Sequence, residues 1–99
     1  MRIISHSTLI AFYTNPQYRD SKDALEAWYF EAKHAEWRSP MDVIQHYPKA
    51  SIIADNRIVF NIRGNKYRLI IKFHYKAMIG YVRFIGTHKE YDAINAEKI

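Results

Sequence analysis

The chain has 99 residues, with 15 Lys and Arg against 10 Asp and Glu, and it contains no Cys. This length suits one domain with a single core and is too short for two. The absence of cysteine excludes disulfides and thiolate metal sites, and is typical of proteins in a reducing cytoplasm. The sequence shows neither a signal peptide nor an apolar run of the roughly 20 residues that span a membrane, so we expect a soluble cytoplasmic protein.

The first half of the chain shows the apolar spacing of helices packed on a sheet. Large aromatic residues at helical spacing pack in cores more often than they stack on bases, so we assign Trp28 and Trp37 to the core. Pro16 and Pro48 are each expected to end a helix, because proline cannot continue one. The predicted elements are a short strand over residues 1–5, a helix over 7–13, a helix from a cap at Asp20 or Ser21 to about Trp37, and a short helix that begins at Ser39–Pro40.

The second half of the chain changes its apolar period from 3.6 to 2 at about Ile52, and Val, Ile, Phe and Tyr dominate it. This change predicts a β-meander. Helices followed by strands are typical of an α+β domain, with the helices on one face of a small, mainly antiparallel twisted sheet. Nothing in the composition marks an internal boundary, so we expect one domain over residues 1–99.

Gly64–Asn65 is a two-residue hairpin signal, because Gly adopts without strain the positive φ that such turns require. With this turn, Asn61 is expected opposite Arg68, and the apolar residues of both strands share the face that the helices cover. The predicted core positions are Ile58, Phe60, Ile62, Tyr67, Leu69 and Ile71. The predicted solvent face carries the pairs Arg57–Lys72, Val59–Ile70, Asn61–Arg68 and Arg63–Lys66.

A further strand is expected from Ile79 to about Gly86. If Val82 and Phe84 enter the same core, Arg83 points to the solvent face beside Ile70, because side chains alternate along a strand. The outward positions of this strand are then Tyr81, Arg83 and Ile85.

Thr87 and Glu90 match a capping box, in which each residue bonds to the backbone of the other at a helix N-terminus. This match predicts a short C-terminal helix that begins above the basic end of the hairpin. His88 and Tyr91 are three residues apart in this helix and are expected on one face of it.

The basic residues are unevenly distributed along the chain. No Asp or Glu occurs from Asn56 to Lys89, whereas eight of the 15 Lys and Arg lie there. Like charges directly opposite in a β-ladder destabilise it by roughly 0.2–1 kcal/mol a pair, so the missing acids suggest that phosphate supplies the negative charge. In the alternative interpretation, the long cationic side chains simply extend into water. The pattern favours a polyanion partner.

Two motifs resemble those of the HigB toxins: Phe60-Asn61-Ile62-x-Gly64-Asn65-x-Tyr67-Arg68 and Thr87-His88-x-Glu90-Tyr91. The resemblance covers nearly the whole chain, and Arg63 departs from it, since the family more often has Gly there. The resemblance implies a RelE-like fold and an mRNA interferase that cleaves translated mRNA on the ribosome. It also implies a HigA-type antitoxin as partner and no cofactor.

Metal-free RNA cleavage uses the 2′-OH as nucleophile and needs a base, an acid and cations for the charge on the phosphate. We assign phosphate stabilisation to Arg68 and Arg83, and proton transfer to His88 and Tyr91, with Tyr91 as base or stacking group and His88 as acid, or with these roles reversed. The basic face lacks carboxylates and ligand-spaced histidines, so no metal is expected. The expected RNA contacts are Arg57, Asn61, Arg63, Lys66, Lys72 and Lys89.

A non-catalytic RNA- or ribosome-binding module could use the same sheet face. The pair of His88 and Tyr91 among arginines favours the enzyme, because a binding surface gains little from titratable groups that converge on one phosphate. Composition alone does not separate the two functions.

Overall fold

The computed structural model describes all residues from 1 to 99, and it contains five strands and four α-helices. The first half holds a short strand, two α-helices joined by a 3₁₀ helix, and a third α-helix. The second half holds four strands and a last short helix. In chain order these are β1 (Arg2–Ile4), α1 (His6–Thr14), the 3₁₀ helix (Pro16–Ser21), α2 (Lys22–His34), α3 (Pro40–His46), β2 (Ser51–Ile53), β3 (Arg57–Ile62), β4 (Tyr67–His74), β5 (Ile79–Thr87) and α4 (His88–Asp92).

The strands form one sheet in the order β1-β5-β4-β3-β2. All neighbouring pairs are antiparallel except β1 and β5, which run parallel. The helices cover one face, where the main core lies, so the predicted α+β class is confirmed. None of the helices has the length and apolar character needed to cross a membrane.

The core beneath the helices holds the predicted residues of β3 and β4. Phe60 is 1 % exposed and Leu69 is fully buried, and Trp28 packs edge-to-face on Phe60 at 5.3 Å between ring centres. Trp37 is also buried, at 5.8 Å from the ring of Phe73. The assignment of both tryptophans to the core is therefore confirmed.

The predicted extent of α2 is wrong at its C-terminal end, because the helix stops at His34. Ala35 is extended, and this change of direction brings Trp37 into the core between α2 and α3. Of the two predicted caps, Asp20 and Ser21, Ser21 is the N-cap residue of α2, but its side chain makes no capping bond, because its hydroxyl donates to the carbonyl of Tyr18 at 2.6 Å. By contrast, Ser39 caps α3 as expected, accepting from the amide of Asp42 at 3.3 Å.

The register of the β3–β4 hairpin is as predicted, with Asn61 paired to Arg68 and Arg57 to Lys72. At the turn, the amide of Lys66 donates to the carbonyl of Arg63 at 3.2 Å, and Gly64 has a φ of 63°. Arg63 also has a positive φ, of 52°, a conformation that Gly adopts without strain but that is uncommon for a residue with a Cβ.

A β-bulge in β5 overturns the predicted orientation of its second half. Ile71 pairs with Val82 and Ile70 pairs with Phe84, so Arg83 is the extra residue. Phe84 therefore lies on the outer sheet face rather than in the core, and Ile85 packs against the core instead of facing outward. Arg83 keeps the outward, exposed position that was predicted.

The outer sheet face is less open than predicted. Val59 is 4 % exposed and Ile70 is fully buried. The segment after α4, residues 93–99, lies across them, since the main-chain oxygen of Ile99 accepts from Arg57 on β3 at 2.7 Å and from Arg83 on β5 at 3.3 Å. Arg57 itself is 4 % exposed, so it does not lie on an open face, as the prediction of an RNA contact there had assumed.

Candidate functional site

Arg68 and Tyr91 are brought together at the end of the sheet. The guanidinium carbon of Arg68 lies 5.8 Å from the centre of the Tyr91 ring, within the range of a cation–π contact. The Arg68 side chain also donates to the carbonyl of Asn65 at 3.4 Å, and the Tyr91 ring packs near Phe84. The two side chains are each partly exposed, so both remain accessible to a ligand.

The position of Tyr91 depends on how α4 begins. The predicted capping box is present: the Thr87 hydroxyl accepts from the amide of Glu90 at 3.1 Å, and the Glu90 carboxylate accepts from the amide of Thr87 at 2.8 Å. The amide of His88 donates to the carbonyl of Lys66 at 3.2 Å, which ties the start of α4 to the hairpin. These bonds fix α4 above the first residues of β4.

His88 lies beside Asp92, an acid for which the sequence predicts no role. Its Nδ1 lies 3.2 Å from a carboxylate oxygen of Asp92, one helical turn later. The i,i+4 spacing of the two residues was the available signal for this pair. His88 therefore contacts Asp92, whereas Tyr91 contacts Arg68. The two proton-transfer candidates lie on one short helix, but each contacts a different residue.

Asp20 neutralises the basic tip of the β3–β4 hairpin. Its carboxylate is paired with Arg63 and Lys66, and it accepts from the hydroxyl of Tyr67. The bonds from Lys66 and Tyr67 lower the pKa of Asp20 to about 2. Burial, together with the bond to Asp20, raises the pKa of Tyr67 to about 12. No local pattern predicts this cluster, because Asp20 precedes Arg63 by 43 residues.

Asp55 neutralises the other end of the hairpin. Its carboxylate lies 2.9 Å from Arg57 and 3.4 Å from Lys72. Asp20 and Asp55 thus supply the negative charge for four cations, Arg57, Arg63, Lys66 and Lys72. The expectation that phosphate supplies this charge is therefore wrong for these four residues. The cations of the segment from Asn56 to Lys89 without an acid partner are Arg68, Lys76, Arg83 and Lys89.

The predicted site residues thus divide into three groups. One group is exposed or partly exposed and comprises Asn61, Arg68, Arg83, His88, Lys89 and Tyr91, of which Asn61 and Tyr91 lie beside Arg68. A second group is accessible but paired with acids, and comprises Arg63, Lys66 and Lys72. The third is Arg57, which is buried.

Replacing Asp20 by Asn is expected to change the acid sensitivity of the fold. A carboxylate with a lowered pKa stabilises the native state above its unfolded pKa and loses that contribution as the pH falls through its folded value. The wild-type protein should therefore lose stability as the pH falls from 3.8 towards about 2, and Asp20→Asn should flatten this loss. Urea unfolding across this range tests it, with Asp23→Asn, which has no ion pair, as control. An unchanged slope for Asp20→Asn would contradict the assignment.

Replacing Gly86 by Ala is expected to displace α4. Gly86 is the β5 partner of Arg68, and an added Cβ would lie 2.6 Å from the Phe84 ring and 3.1 Å from the Glu90 carboxylate. The neighbouring groups must move to make room for the Cβ. This movement should destabilise the fold by about 1–3 kcal/mol and disturb the capping box. Thermal melting and near-ultraviolet circular dichroism measure both effects. Melting identical to that of the wild type would show that Phe84 and Glu90 move aside freely.

The chain was compared with known protein families and with curated proteins. A family model described as HigB toxin, the RelE-like toxic component of a toxin–antitoxin system, matches residues 21–94. The match includes the hairpin, the bulged β5 strand and α4, and with them Arg68, Arg83 and Tyr91. No curated protein matches the chain. Because the family model covers most of the chain, the protein belongs to the HigB toxin family, the RelE-like toxic components of toxin–antitoxin systems.

Proposed function

We propose that this toxin is an mRNA interferase, which cleaves translated mRNA on the ribosome with the RNA 2′-OH as nucleophile and without a metal ion. The observation that carries the proposal is the contact between Arg68 and Tyr91, an accessible cation without an acid partner beside an accessible phenol. Membership of a toxin–antitoxin family implies an antitoxin partner, which we propose is of HigA type. Because the proposed target of the toxin is mRNA on the ribosome, we propose that the toxin acts in the cytoplasm.

The cations without acid partners supply the electrostatic part of the reaction. In-line attack of the 2′-oxygen forms a new bond to phosphorus while the bond to the 5′-oxygen breaks, and negative charge grows on the phosphate oxygens. Arg68 can bind these oxygens through two parallel N–H bonds. Arg83, whose only bond is to the main-chain oxygen of Ile99, can contribute a second guanidinium. Lys89 adds positive potential from α4.

The proton transfers require two groups. The 2′-OH must lose a proton as it attacks, and the 5′-oxygen must gain one as it leaves. Tyr91 borders the phosphate site because it contacts Arg68, so we assign one transfer to it. We assign the other to His88, whose Nδ1 lies 3.2 Å from a carboxylate oxygen of Asp92. Asn61, exposed and directly across the ladder from Arg68, can orient a sugar or phosphate oxygen.

The experiment is cleavage of an mRNA held on translating ribosomes by the purified protein, which is treated with EDTA and then freed of it before the assay. We expect cut fragments with a 5′-hydroxyl end, and we expect no cut where a single 2′-deoxynucleotide precedes the scissile phosphate. Naked mRNA is the control for ribosome dependence. Cleavage that persists at the deoxynucleotide would contradict the 2′-OH mechanism. Binding to the mRNA or ribosome without any cleavage would identify a non-catalytic RNA-binding module instead.

A further inference from the structure

A groove of about 640 Å³ runs between the hairpin turn and the loop that follows α3. It adjoins the candidate site, because Asn61 lines it and Asn61 is the ladder partner of Arg68. The lining residues that matter for a ligand are Lys49, Phe60, Asn61, Gly64 and Asn65.

The groove exists because β2 is short. β2 pairs only with residues Arg57–Val59, so the end of β3, Phe60–Ile62, has a partner strand on one side only. A strand paired on one side leaves half of its main-chain donors and acceptors available. These groups border the groove and can bond to a planar polar ligand.

The side chains of the groove suit a nucleobase. Asn61 and Asn65 are exposed, and their amides make no hydrogen bond within the protein, so each offers donors and acceptors to a base edge. An added Cβ at Gly64 would meet nothing within 4 Å, so a flat ring can approach the backbone there.

The charge of the groove favours a polyanion such as RNA over a basic peptide segment. No carboxylate lines it, whereas Lys49 does, and it continues into the face that carries Arg68. Phe60, its largest apolar residue, is 1 % exposed, so the Phe60 ring is not available to anchor a peptide side chain. Paired amides beside a cation are instead the groups that read base edges and hold the adjoining phosphate.

We infer that this groove binds the base of a nucleotide next to the cleaved phosphate and sets the sequence preference of cleavage, with Asn65 as a base-reading residue. This inference rests on the proposed function. The inferred occupant of the groove is RNA. Binding of an antitoxin segment in the groove instead would be a result of the test that contradicts the inference.

The test maps the 5′ ends of fragments from a pool of ribosome-bound mRNAs that vary at the nucleotides flanking the cut. Asn65→Ala removes the amide, while the main-chain oxygen that Arg68 contacts remains. Asn65→Asp keeps the shape of the side chain and removes its donors. Gln45→Ala is the control, because it removes an exposed amide of α3 that does not line the groove.

We expect both Asn65 variants to change the relative use of sites that differ at one flanking base by at least about fivefold, the ratio that one hydrogen-bonded base contact supports. The control should keep the wild-type distribution. An unchanged distribution in both variants overturns the inference, as does weaker antitoxin binding with unchanged base preference. Absence of cleavage by the wild-type protein would instead refute the proposed function, and the inference would fall with it.

Discussion

Replacing Arg68 by Ala is expected to lower the rate of mRNA cleavage by roughly 10²- to 10³-fold, the usual loss when one electrostatic stabiliser of a transition state is removed. The protein should stay folded, because Arg68 is partly exposed and its one side-chain bond is a long contact with the carbonyl of Asn65. Single-turnover cleavage of ribosome-bound mRNA measures the rate, and thermal melting measures the fold.

Two further variants extend this prediction and one controls it. Arg83→Ala and Tyr91→Ala should each cause losses of similar order without unfolding. Arg38→Ala removes an exposed cation of the loop before α3 and should leave the rate unchanged. The prediction is refuted if Arg68→Ala cleaves at the wild-type rate, or if its loss of rate only matches a loss of folded protein.

Replacing Phe60 by Ala is expected to destabilise the fold by about 3–5 kcal/mol, through lost burial and the cavity left behind. Phe60 is 1 % exposed and packs on Trp28 and Tyr47, each at 5.3 Å between ring centres. For a domain of ordinary stability this loss is a large share of the total. Urea unfolding measures it, and cleavage should fall only in proportion to the unfolded fraction.

Phe30→Ala is the matched control, because Phe30 is 64 % exposed on α2. A surface substitution of this kind should change stability by no more than about 0.5 kcal/mol. Equal destabilisation by the two variants would contradict the position of the core under the helices. Together with Arg68→Ala, this pair separates variants that act on chemistry from variants that act on folding.

Local signals in the sequence were sufficient to predict the hairpin and the start of α4. Gly64 determines where the chain reverses, and a period of two then assigns every residue of β3 and β4 to a face. Thr87 and Glu90 satisfy each other within one turn, so their bonds depend on no distant residue. The proximity of Arg68 and Tyr91 follows from these two local features, because the strand before α4 ends beside the start of β4.

Features that depend on distant residues were not predictable in this way. The spacing of Asp20 and Asp55 in the sequence does not reveal which cations they will meet in the fold, so the hairpin appeared more positive than it is. The bulge at Arg83 changes the orientation of Phe84 without any glycine or proline to mark it. The chain after α4 is attached to the outer sheet face by bonds from Arg57 and Arg83 to the main-chain oxygen of Ile99. Every residue has such an oxygen, so no side-chain pattern in the sequence predicts this attachment.

The measurement that tests the central claim most directly is inducible expression in a bacterium of the wild-type protein and of Tyr91→Ala, with cellular mRNA integrity scored at equal protein abundance. Tyr81→Ala is the control, because Tyr81 is also exposed and pairs with Lys72, four residues along β4 from Arg68. We predict growth arrest with fragmented mRNA for the wild type and for Tyr81→Ala, and normal growth with intact mRNA for Tyr91→Ala. Growth arrest by the wild type with intact mRNA, or undiminished mRNA cleavage by Tyr91→Ala, would contradict the account.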